Sequence, residues 1–178
     1  NVSAIGDNSL AFGKNVLSNS YGTIALGQDD GSNSGNLTVS TGVNSISIGK
    51  YTSATGIESI ALGQVSIVSG NGGISIGSGN IVGGDRCIGI GNNVKVDGYQ
   101  SMATNYKTTA TGSSNFAMGG STYAAGWGSL ATGIESSATG NYGSFAGGLA
   151  SIASGNISFA FGNKASATTE GSISLGTL

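Results

Sequence analysis

The chain has 178 residues, 34 of them Gly, with no Pro or His and a net charge of −2 from six basic and eight acidic side chains. Basic residues this few and scattered exclude the phosphate-tracking surface of a nucleic-acid binder, and one cysteine excludes a disulfide framework or a cysteine zinc cluster. With 38% hydrophobic residues the chain is too apolar and too weakly charged for a disordered tract, and its length suits one domain, 1–178, with a sizeable core.

A five-residue unit, polar–apolar–small–apolar–Gly, runs through the chain. A truncated copy ends at Gly6. Full copies follow at Ser9–Gly13 and Thr23–Gly27, then after a wider interval at Ser45–Gly49, Ser59–Gly63, Gly73–Gly77 and Cys87–Gly91. They continue as Ser101–Asn105, Asn115–Gly119, Ser129–Gly133, Ser144–Gly148, Ser158–Gly162 and Ser172–Gly176. The usual spacing is 14, as from Gly49 to Gly63 and on to Gly77. The interval from Gly27 to Gly49 is 22, and that from Gly133 to Gly148 is 15.

A second glycine falls halfway, at Gly56, Gly70, Gly84, Gly98, Gly112, Gly126, Gly140 and Gly155. Each coil is therefore read as two short strands, each closed by a turn glycine with positive φ. Asn105 stands at the main glycine position, and Asn is the next best tolerated residue there. Two strands in so short a repeat leave no room for a crossover helix, so the fold class is an all-β parallel solenoid. Coils spaced at about 4.8 Å give a stack on the order of 55–60 Å.

Alternation sorts each strand into two faces. One carries only Ala, Ser or Gly, from Ala4, Ala11 and Ala25 through Ala61 and Ala117 to Ser174. Opposite it the second half-coil offers Ala54, Val68, Val82, Val96, Ala110, Ala124, Ala138, Ala153 and Ala167. Such small residues suit the inside of a narrow coil.

The other face is a ladder of large apolar residues: Leu10, Phe12, Ile24, Leu26, Ile46, Ile48, Ile60, Leu62, Ile74, Ile76, Ile88, Ile90, Phe116, Met118, Phe159, Phe161, Ile173 and Leu175. If the small column is inside, this ladder points out. At about 1.5–3 kcal/mol gross for each large side chain removed from water, it calls for a cover. Other copies of the same chain supply one, which makes an obligate homo-oligomer. The alternative packing, with Ile and Leu inside and Ala outside, makes a monomeric solenoid.

The segments Asn44-Ser45-Ile46-Ser47-Ile48-Gly49, Asn8-Ser9-Leu10-Ala11-Phe12-Gly13 and Ser59-Ile60-Ala61-Leu62-Gly63, with the half-turn Ser53-Ala54-Thr55-Gly56, resemble the repeat of YadA-like head domains in trimeric autotransporter adhesins. The resemblance implies a left-handed parallel β-roll and a homotrimer whose subunits meet along the apolar ladder. It also implies display on the bacterial outer membrane and attachment to host matrix, host cells or other bacteria. A leading Asn recurs only at Asn8, Asn44 and, without a following Ser, Asn115, a pattern that does not favour collagen as the ligand. Neck, stalk and membrane anchor are expected outside this stretch, which itself makes no membrane contact.

Candidate contact residues are few. The excess between Gly27 and Gly49 reads as a loop at roughly 28–42, with Asp29 and Asp30 at its start, either a solvated excursion or a ligand contact of the kind loops on rigid scaffolds often make. Tyr51, Tyr106, Tyr123, Trp127 and Tyr142 lie in or near the second half-coils and suit either ligand contact or edge covering. Cys87 falls on the inward parity as a buried thiol, with no His to activate it. No enzyme activity, cofactor or metal is expected: Asp is too sparse for a calcium solenoid, and no carboxylate pair converges for glycoside hydrolysis. Two non-catalytic alternatives are a trimeric phage tail-fibre segment and an ice-binding solenoid. The latter is spoiled by Lys95, Asp97 and Tyr123 on the face that should be regular.

Overall fold

The computed structural model describes residues 1–28 and 37–176. The chain divides into two compact units, Asn1–Gly91 and Asn92–Leu178. In the first, the short strands Val2–Ala4, Val16–Ser18, Thr38–Ser40, Ser53–Ala54, Ile67–Val68 and Ile81–Val82 stack in chain order. The longer strands Leu10–Gly13, Ile24–Gly27, Ile46–Lys50, Ile60–Gln64 and Ile74–Ser78 form a second sheet, again in chain order. The second unit repeats this, with short strands from Lys95–Val96 to Ser166–Ala167 and long ones from Met102–Tyr106 to Ile173–Gly176.

All pairings are parallel and join equivalent positions, as in Ile74↔Ile60, Ser75↔Ala61 and Ile76↔Leu62. Each unit is thus a parallel β-solenoid with two strands per coil and no helix among the described residues. The repeat dictates this arrangement. A constant period returns every residue type above its own kind, so alternation, hydrogen bonding and packing all specify one register.

The small column is inside. Ala25, Ala61, Ala103, Ala117 and Ala131 are wholly buried, as are Ala54, Val68, Val82, Val96 and Ala110 on the facing sheet. The interior is also more polar than an Ala column suggests, because Ser and Thr at the strand starts are buried too. Their hydroxyls take carbonyls left over at the corners. Ser59 Oγ donates to the Gly56 carbonyl at 2.6 Å, Ser66 Oγ to Gly77 at 3.1 Å and Ser136 Oγ to Gly148 at 3.0 Å. Such pairing is what makes a buried hydroxyl tolerable.

Three features differ from the sequence reading. First, Val2–Ala4 pairs with Val16–Ser18, so the stretch before Gly6 is a short strand and not a truncated long unit. Ala4 belongs to the second half-coil column. It is exposed, because no coil lies on its other side within the described residues.

Second, the halfway glycines do not carry positive φ. A Cβ on Gly56 would fall on the Gly70 carbonyl of the next coil, so close backbone approach selects Gly there. The left-handed residue comes two positions later, at Glu58, Arg86, Gln100 or Ile157. Gly63 needs both properties: its φ is +121°, and its Cβ would meet the Gly77 carbonyl.

Third, the long strand runs one residue beyond its glycine in most coils, and that corner turns at Tyr51, Val65, Lys107 or Glu135 with φ of 52–57°. The N–H groups of Val65, Lys107 and Glu135 still join the ladder, Val65 donating to the Lys50 carbonyl at 2.9 Å. Thr38–Ser40 lies in register with Val16–Ser18. The repeat therefore resumes before residue 42, and the rest of the 28–42 stretch, with Asp29 and Asp30, lies outside the described residues apart from Gln28 and Leu37.

Candidate functional site

Every expected ladder residue faces outward. Leu10, Phe12, Ile48, Ile76, Ile90, Met118, Phe159, Phe161, Ile173 and Leu175 are exposed. Ile24, Leu26, Ile46, Ile60, Leu62, Ile74, Ile88 and Phe116 are half-buried, shielded by their own neighbours along the column. None is buried, while Ala61 between Ile60 and Leu62 has no exposed surface. Monomeric proteins rarely leave an apolar patch larger than a few hundred Å² in water.

In the second unit the two rungs before Ile173 and Leu175 are aromatic. Phe145 stacks on Phe159 with ring centroids 4.8 Å apart. A Cβ at Gly147 would press on Phe145 and Phe161, so the gap in that coil is already filled by the rings beside it.

The five aromatic candidates separate into three places. Tyr51 and Tyr106 sit at the corner that ends a long strand. There Lys50 Nζ lies 5.1 Å from the Tyr51 ring centroid, and Lys107 Nζ lies 5.2 Å from that of Tyr106. Their ring faces are engaged by cations. Tyr123 opens a short strand, and Thr111 Oγ1 is 3.4 Å from its hydroxyl. Trp127 and Tyr142 occupy the opposite corner, before the long strands, with ring centroids 6.1 Å apart at 42°. They are brought together; the others are not.

Cys87 is buried, with Sγ 3.5 Å from the Asp85 carbonyl oxygen. Lys95 and Asp97 are the two charges that interrupt the face an ice-binding solenoid would need regular. They form an ion pair at 2.9 Å, and both the hydrogen bond to Asp97 and its charge raise the Lys95 pKa.

With the geometry in place, comparison with known families decides what kind of coil this is. The model of the YadA head domain repeat matches residues 40–66, 54–80 and 153–178. The repeats in those stretches are of the YadA head type. The matched stretches cover somewhat more than a third of the chain and lie in both units. They include the Asn44–Gly49 and Ser59–Gly63 segments and, in the ladder, Phe159 and Phe161. Outside them, Lys95–Ala138 keeps the same strand pairing, so the architecture extends beyond the sequences the family model matches. No curated protein matches the chain.

Proposed function

We propose that this YadA-like head is the binding part of a bacterial surface adhesin and works as a homotrimer, without catalysis. The outward apolar ladder carries the reading. A column that is apolar at nearly every coil and has no cover among the described residues fits a permanent subunit interface, since such interfaces resemble a core cut in half. The ladder residues from Leu10 to Leu175 would meet their counterparts around a common axis. Three identical outer surfaces would then face the environment, and modest single-site affinities would combine through effective concentration. Ligands of this class are host matrix proteins, host cells or neighbouring bacteria. Neither nucleic acid nor direct membrane contact enters the reading.

The test has two parts. Light scattering on the purified chain should give three times the 17.2 kDa of one copy; a single-copy mass in dilute buffer overturns the assembly. The trimer should then bind a component of a matrix-protein and host-cell panel. No binding there, alongside strong binding by a longer protein containing it, would place adhesion elsewhere.

A further inference from the structure

We infer that the Trp127–Tyr142 corner of the second unit is a binding site for neutral saccharide; this rests on the adhesin reading and names a ligand class for it. Trp127 is 63% exposed and Tyr142 55%. Trp127 is the only tryptophan in the chain. Exposed rings of this size cost solvation and are ordinarily turned inward. This corner position faces outward in regular coils as well, at Ile57 and Tyr99, and here one local feature adds a second ring to it. The interval from Gly133 to Gly148 is longer by one than the regular spacing, and the extra residue enters at this corner.

The hydrogen bonds locate it. Trp127 N–H donates to the Asn141 carbonyl at 3.0 Å, while the Trp127 carbonyl accepts from Gly143 N–H at 2.9 Å. Tyr142 is looped between those two contacts and forms an isolated parallel bridge with Trp127. The bulge sets a second ring beside the first.

The surroundings define the ligand. The position after each ring is glycine, Gly128 and Gly143, and a Cβ built on either meets nothing within 4 Å. Two successive coils thus leave a strip bare of side chains beside the rings. Asn156 lies one coil further on. Its Oδ1 accepts the Asn141 N–H at 2.9 Å, which orients the amide and leaves Nδ2 as a donor at the edge of the strip.

Charge is missing from this corner: the equivalent positions in the second unit read Tyr99, Ser113, Trp127, Tyr142 and Asn156 before Glu170 is reached. Among the described residues no cavity opens at the surface, so an inserted aliphatic or charged side chain finds no pocket. A flat, uncharged ligand with an apolar face and peripheral hydroxyls fits rings, bare backbone and an amide together. A pyranose ring has that form.

Because Trp127 is the only indole, its emission reports the site directly. The probes are cellotetraose, chitotetraose, maltotetraose and a β-linked galactan, titrated into the intact protein, with heparin as a charged control. At least one neutral saccharide should shift the emission saturably, with affinity of about a millimolar or better. Tyr142→Ala should weaken it about tenfold.

Gly128→Asn with Gly143→Asn should abolish the shift while leaving the melting temperature in place, because Asn8 and Asn44 hold the same corner position with φ of 57° and 55°. The inference is overturned if no neutral saccharide moves the emission, or if heparin alone does so. It is also overturned if the double Asn variant binds as well as the parent. Cell attachment by parent and double Asn variant alike, with no saccharide response, would refute this site and leave the adhesin reading standing.

Discussion

Within Ile60–Gln64 two faces of a single strand have opposite fates. Ala61 has no exposed surface, while Ile60 and Leu62 on either side remain partly in water. In an ordinary sheet the larger side chains would be the buried ones. Here the turns bring the two sheets so close that the long strand offers at most a methyl or a hydroxymethyl group inward, and the facing sheet nothing larger than valine. Size, and not hydrophobicity alone, chooses the inside. The greasier face is left for another surface to cover.

The strongest way to break that comparison is to put a large residue inside. Ala117→Leu adds three carbons to a column with no free volume, at a cost of about 3 kcal/mol or more. Thermal melts followed by circular dichroism should show a chain that no longer folds cooperatively. Charging the outer face should do something different. Ile60→Asp with Ile74→Asp should leave the coil's β spectrum intact and reduce the light-scattering mass to that of one copy.

Gly63→Ala comes next. It sets a Cβ against the Gly77 carbonyl and strains a φ of +121°, for an expected loss of about 2–3 kcal/mol in denaturant unfolding. A gain is expected at Thr108. Its buried hydroxyl has no hydrogen-bond partner, and Val94 already fills the equivalent place one coil earlier at 1% exposure. Thr108→Val should therefore stabilise by about 1 kcal/mol.

The smallest effect is at the Lys95–Asp97 pair. Its lysine pKa is raised on folding, so the contribution is complete below the ordinary lysine range and fades as pH climbs through the higher folded value. Asp97→Asn should differ slightly from the parent at neutral pH. The difference should vanish well above about pH 10 and shrink in high salt.

Much of this was legible in the residues. Alternation of Ala61 with Ile60 and Leu62, repeated at a fixed period, gave strand, register and the inside face, because a parallel stack amplifies one local choice coil after coil. Corner geometry was not. Glycine at position 56 looked like a turn residue, yet it is there because the next coil's backbone passes too near for any side chain. The turn itself falls on Glu58, a residue type with no propensity for it. Val65 and Ile157, both β-branched, adopt the same left-handed conformation, which only the stacked hydrogen bonds explain. The pairing of Trp127 with Tyr142 had a signal in the one interval lengthened by a single residue. Its meaning depended on which corner received that residue, and this is set by hydrogen bonding between coils.

In-register stacking has a consequence for how such a chain changes length. Within either unit, a coil presents to the one after it the same outline that it receives from the one before. Excising one whole coil anywhere in a regular stretch would rejoin matching surfaces, and duplicating it would insert a compatible storey. Slippage between tandem copies in the gene could then lengthen or shorten the molecule without inventing a new contact, while a lone extra residue, as at Tyr142, survives only at a corner.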